Sequence, residues 1–136
     1  MPHLTLEYTS NLAHRAPTSE LLLRVHRLLE SAAGVPIGNC KSRWQALEAW
    51  TVGDGAGEPA FVHLDIRLLE GRPLEALQEA GRGAIGILAS HFLPPVSGAA
   101  PQITVEIQEI ARDQYFKEPE GTLAPPPVPG LGPGDL

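Results

Sequence analysis

The sequence predicts an α/β (α+β) fold of two β-α-β units, a four-stranded mixed sheet with both helices on one face. Three observations carry this. Residues 60–69 alternate strictly, with Val62, Leu64, Ile66 and Leu68 on one side and Phe61, His63, Asp65 and Arg67 on the other, the two-residue period of a strand. Residues 18–33 gather Leu21, Val25, Leu28, Leu29 and Ala32 on one helical face and leave Glu20, Arg24, Arg27 and Glu30 largely outside it. The order strand, helix, strand then occurs twice, and each crossover is long enough to join parallel strands with the usual right hand.

The elements follow in order. Leu4, Leu6 and Tyr8 alternate with Thr5 and Glu7, so a short strand starts almost at the first residue. The helix over residues 18–33 has Thr18 or Ser19 as its cap, and Gly34 with Pro36 stops it. Residues 40–52, with Trp44, Trp50 and Val52, read as one interrupted strand or two short ones. Gly53-Asp54-Gly55-Ala56-Gly57 is a turn.

After the strand over residues 60–69, Gly71-Arg72-Pro73 opens a second helix, with proline suited to its first turn. Leu74, Leu77, Ala84, Ile85, Leu88 and Phe92 form its apolar stripe, and Pro94-Pro95 ends it. Gly81, Gly83 and Gly86 inside this helix each cost about 1 kcal/mol relative to alanine, which close packing against a neighbour would offset. Ile103, Val105 and Ile107 alternate with Thr104, Glu106 and Gln108 in the last strand. Residues 1–118 thus form one domain, and residues 119–136, rich in proline and glycine, an extended or disordered tail. The sheet face away from the helices is expected to carry enough apolar and aromatic residues to need cover, which favours oligomerisation.

The 136 residues suit a single domain, and the formal charge of -6, without a run of lysine or arginine, argues against nucleic acid as a partner. An anionic ligand would instead need locally focused cations. Cys40 is the single cysteine, so no intrachain disulfide can form, and a buried, inert thiol is its expected state. His14, His26 and His91 show no ligand spacing, and no metal is expected. With no leader and no apolar run of bilayer length, the chain reads as cytoplasmic and without a membrane partner.

The sharpest functional candidate is Pro2. Removal of Met1 would make its nitrogen a terminal secondary amine, and an α-amino group with a reference pKa of about 7.7 to 8.0 needs only burial or a neighbouring cation to become a base near neutrality. The bland alternative is that Pro2 merely starts an edge strand.

Several motifs, in order and with matching spacing over residues 2–118, resemble the 5-carboxymethyl-2-hydroxymuconate delta-isomerase family of the tautomerase superfamily. They are Pro2-His3-Leu4-Thr5-Leu6-Glu7, Lys41-Ser42-Arg43, Ala60-Phe61-Val62-His63-Leu64, Gly71-Arg72-Pro73-Leu74-Glu75 and Glu106-Ile107. The resemblance implies a paired β-α-β fold, a homotrimer, and cofactor-free proton transfer on a small anionic substrate of the 2-hydroxymuconate type, in bacterial degradation of aromatic acids. It implies Pro2 as the base and Arg72 as a catalytic cation. The family's Gly-Ile-Arg-Ser-Arg pattern falls on Asn39-Cys40-Lys41-Ser42-Arg43, so Lys41 stands where the family has arginine. Lysine keeps the charge and loses the planar fork that grips a carboxylate, and Arg43, on the same strand face, would compensate.

The residues also admit quieter roles. Arg72 could be an exposed residue before a helix, and Lys41 and Arg43 could guard a strand edge. His3 lines the mouth of the site in the functional reading. His63 could act as an acid or sit as a hydrogen-bonded structural residue, and Phe61 could meet substrate or fill a core between subunits. Two alternatives to the leading function stay open: a tautomerase for another enol or 2-oxo acid, and a non-catalytic oligomeric scaffold.

Overall fold

The computed structural model describes residues 1–95 and 100–119 of the 136. Its elements are β1 (His3–Thr9), α1 (Ser19–Ala33), β2 (Lys41–Leu47), β3 (Phe61–Leu69), α2 (Leu74–Phe92) and β4 (Gln102–Ile110), with 3-10 turns at Ser10–Arg15, Ile37–Asn39 and Arg112–Gln114. β1 pairs in parallel with β2, and β3 with β4. The two units meet through antiparallel pairing of β1 with β3, giving the order β2-β1-β3-β4. The expected tail lies, beyond Pro119, outside the described residues.

Strand alternation places the core. Val62, Leu64 and Ile66 of β3 and Leu4 and Leu6 of β1 are fully buried, and they join Val25 and Leu29 of α1 and Ala84 and Leu88 of α2 in one cluster. Each such aliphatic side chain contributes about 1.5 to 3 kcal/mol by leaving water. Thr18 caps α1 by accepting from the Leu21 amide at 3.2 Å, and Gly34 ends it in the left-handed region at φ 66. The buried stripe of α1 also takes in Leu22 and Ala33, while Leu28 and Ala32 are only partly buried.

Three expectations change. Residues 40–52 form one strand ending at Leu47, followed by irregular chain up to the turn, where Gly53, Gly55 and Gly57 all have positive φ. In α2 the buried positions are Ala80, Ala84, Leu88 and Phe92, whereas Leu74 is 65% exposed and Ile85 points partly outward. The open face of the sheet is polar. Its middle carries Thr5 and Glu7 of β1, Arg43 and Gln45 of β2, Asp65 and Arg67 of β3, and Glu106 and Gln108 of β4, while apolar residues of the same parity, Leu47, Phe61, Leu69 and Ile110, stand at strand ends. Among the described residues, the apolar cover inferred from sequence is thus confined to the ends of the strands.

Candidate active site

The topology converges on one end of the sheet. Because β1 starts where β3 finishes, His3 lies across from Arg67, and the parallel neighbour sets Lys41 on its other side. The Lys41 amide donates to the Pro2 carbonyl at 3.0 Å, which anchors the first residues of the chain to the start of β2. The Met1 side chain is buried, and its amine donates to the Asn39 carbonyl at 2.8 Å. Burial, then the positive charges of Lys41 and Lys117, lower this amine from 8.0 to about 6. The Met1 amine is therefore shifted toward its uncharged form.

His3 stands beside it. Its Nε2 is 3.0 Å from the Tyr115 hydroxyl, and its Nδ1 is 3.0 Å from Arg43 Nη2, while Arg43 Nη1 donates to Thr5 Oγ1 at 3.4 Å. Burial first, then Arg43, the terminal amine, Lys41 and Arg67, hold His3 below its ordinary pKa. The structure thus brings Pro2, His3, Lys41 and Arg43 together.

Arg72 belongs to the same end of the molecule, since it follows β3 by three residues. Its Nε donates to the carbonyl of Ala33, the last residue of α1, at 2.6 Å, and its Nη1 to the carbonyl of Leu69, the last residue of β3, at 3.1 Å. The guanidinium fork therefore ties a helix end to a strand end. Two cations near the chain start were not singled out from the sequence, Arg67 and Lys117, and neither was Tyr115. Tyr115 and Lys117 follow the last strand in irregular chain, where no periodicity marks a residue, and only the strand register delivers them to the site.

The remaining candidates sort differently. The Cys40 thiol is pushed up to about 11, chiefly by burial, which keeps it protonated and unreactive. His63 lies at mid-strand, its Nδ1 2.6 Å from Thr104 Oγ1 and its Nε2 3.5 Å from Glu106 Oε1. Ligand atoms of His63, Asp65 and Glu106 lie within 4.8 Å of one another, the one such group among the described residues. Gln108 Nε2 donates to Asp65 Oδ1 at 3.1 Å and to Glu106 Oε2 at 3.2 Å, so the two carboxylates share one side-chain donor. Two open clefts of about 420 and 380 Å³ flank the loop before β3, lined by Trp50, Thr51 and Val52 among others. They lie at the Phe61 end of β3, some eight residues or ~26 Å of strand from the end that holds Pro2, and their titratable lining residues are Glu58 in one and His63 in the other. No helix among the described residues is long and apolar enough to cross a membrane.

Comparison with known proteins supports the geometry. The family model described as 5-carboxymethyl-2-hydroxymuconate isomerase matches residues 2–120. A 5-carboxymethyl-2-hydroxymuconate Delta-isomerase of Escherichia coli is 27% identical over 118 residues, covering 87% of this chain and 94% of its own. The crystal structure of a 5-carboxymethyl-2-hydroxymuconate isomerase from Deinococcus radiodurans R1 superposes with a TM-score of 0.76 at 32% identity, over 86% of this chain and 88% of that one. A structure described as the wild-type symmetric trimer of fused 4-OT shares the fold at 13% identity, with a TM-score of 0.68 over 85% of this chain and 91% of its own. With the paired β-α-β architecture, the ordered motifs and a profile match over residues 2–120, the protein belongs to the 5-carboxymethyl-2-hydroxymuconate isomerase family and is an isomerase.

Proposed function

We propose that the chain is a cofactor-free isomerase that moves a proton on a 2-hydroxymuconate-type substrate such as 5-carboxymethyl-2-hydroxymuconate, with the nitrogen of Pro2 as general base once Met1 has been removed. The observation that carries this reading is the setting of the chain start, where burial and two lysines favour an uncharged amine. In the reaction the Pro2 nitrogen takes the proton of the substrate 2-hydroxyl. The oxygen electron pair becomes the 2-oxo double bond, the diene electrons shift along the chain, and the same proton is returned to carbon. Negative charge on the dienolate develops between these events. Lys41 and Arg72 are the cations assigned to hold it, and Arg43 and His3 line the mouth.

The direct test is kinetic. The Met1-free protein should ketonise 2-hydroxy-2,4-dienoates, and Pro2→Ala should lower kcat by about 10²- to 10⁴-fold, the usual worth of a general base. Activity unchanged by that substitution would sink the terminal-base mechanism.

Lys41 motivates a second reading within the same chemistry. An arginine grips a carboxylate at two points and a lysine at one, so the preferred acid could be a smaller enol acid lacking the carboxymethyl group. Comparing kcat/KM for 2-hydroxymuconate and its 5-carboxymethyl derivative separates the two. Assembly as a homotrimer in the cytoplasm completes the proposal, the trimer being the state that the description of the fused 4-OT structure gives for that protein. Sedimentation equilibrium of the full chain tests it.

A further inference from the structure

The His3 imidazole lies between two groups whose chemistry fixes its protonation. Arginine can only donate, so Arg43 Nη2, 3.0 Å from His3 Nδ1, makes Nδ1 the acceptor. A neutral imidazole then carries its hydrogen on Nε2, and that hydrogen is directed at the Tyr115 oxygen 3.0 Å away. Donation from the phenol to Nε2 is thereby excluded. The Tyr115 oxygen is the acceptor of the pair, and its own hydrogen is left for a third group. No other hydrogen bond of the Tyr115 hydroxyl occurs among the described residues.

The phenol is fixed from behind as well. The 3-10 turn Arg112–Gln114 precedes it, and the Arg112 amide donates to Glu70 Oε2 at 3.0 Å while Arg112 Nε donates to the Glu70 carbonyl at 3.2 Å. The turn is thus pinned to the connection between β3 and α2. Three side-chain cations act on His3: Arg43 and Lys41 from β2 and Arg67 from β3. A hydroxyl hydrogen aimed by an Arg-His pair within a cationic cluster matches an oxygen that bears negative charge.

We infer that Tyr115 is a substrate-binding, specificity-determining residue whose hydroxyl donates to a carboxylate of the substrate, and that Arg43 and His3 are the positioning residues that set the direction of its hydrogen. The reading of the site as that of a 2-hydroxymuconate-type isomerase supplies the identity of the acid. The donor geometry does not depend on it. One neutral donor added to a set of cations gives selection for a second carboxylate, because an amine or guanidinium holds any anion while a directed hydroxyl rewards one at a fixed place.

The experiment uses the full Met1-free chain, wild type and Tyr115→Phe, with thermal melts to establish that both are folded. Binding of glutarate, a non-reacting dicarboxylate, and of butyrate, a monocarboxylate of similar length, is measured by calorimetry, and KM and kcat are measured with 5-carboxymethyl-2-hydroxymuconate. Tyr115→Phe should weaken glutarate by about 10-fold and leave butyrate within 2-fold, the first being about 1.4 kcal/mol. KM should rise by a similar factor with kcat nearly unchanged. His3→Ala, which leaves the phenol in place and releases its orientation, should weaken glutarate by about 3-fold. Equal glutarate affinities for wild type and Tyr115→Phe, equal losses for glutarate and butyrate, or no glutarate binding by the wild type would each overturn the assignment. A wild type that binds glutarate with the Tyr115 dependence and turns over no hydroxydienoate would uphold Tyr115 and overturn the proposed reaction instead.

Discussion

At the scale of single residues, the chain start behaves as electrostatics requires. An amine with an ordinary pKa of 8.0 is lowered to about 6 in the folded chain that retains Met1, so between these values the unfolded state binds the proton and the folded state does not. Stability is therefore fully present above pH 8 and falls as pH drops from 8 to 6. His3 and His26, whose pKa values are also lowered, chiefly by burial, extend the loss below 6.5. Urea titrations of the Met1-retaining chain at pH 8.5 and 6.0 should show the lower midpoint at pH 6.0, and an NMR titration of the amine should centre near 6 rather than 8. Of the residues involved, Pro2, His3, Lys41 and Arg43 were legible because they sit inside motifs that resemble a family. Tyr115 and Lys117 were not. Irregular chain carries no period, and what places them is a register between strands that begin at positions 3, 61 and 102. Arg72 was legible as a cation, but its bonds to the Ala33 and Leu69 carbonyls were not, since they join elements far apart in sequence.

At the scale of elements, the two helices show what a hydrophobic pattern transmits. Alternation located β3 to within a residue, because Val62, Leu64, Ile66 and Leu68 have no second way to be buried together. Helix stripes drifted, since a helical face tolerates a rotation that a strand does not. Leu74 and Ile85 project outward while Ala80 packs. The three glycines of α2 were all expected at a tight contact, and the structure separates them. A Cβ at Gly83 would lie 2.7 Å from Leu28 Cδ1 and 2.9 Å from Cδ2, whereas one at Gly81 would make an ordinary 3.6 Å contact with Ile107 and one at Gly86 would meet nothing within 4 Å. Gly86→Ala should accordingly stabilise by about 1 kcal/mol, the helix propensity difference. Gly83→Ala should gain less or lose, because the Leu28 isopropyl group must swing aside. Chemical denaturation of the two variants checks the order, and a Gly83→Ala more stable than Gly86→Ala would contradict the close approach of α1 and α2.

At the scale of the whole molecule, sequence reading recovered two β-α-β units and their shared helical layer, but mistook the character of the face opposite. Counting apolar residues per strand cannot say that nearly all of them choose the same side. That choice is expressed in the registers of the three strand pairs, with the pairing of β1 with β3 joining the two units. The same pairing puts the first strand in the middle of the sheet, flanked by β2 and β3. During synthesis β1 cannot be seated until residue 69 has been made, which at 5 to 20 residues per second takes on the order of 3 to 14 s. Once seated, Met1 is 6% exposed and its amine is bonded to Asn39, out of reach of an enzyme that needs the free chain end. Methionine aminopeptidase should trim the unfolded chain readily and the folded one slowly, with mass spectrometry as the readout, and equal rates would mean that the start of β1 opens freely. The terminal base proposed for this protein would then have to be uncovered in the seconds before the molecule closes over it.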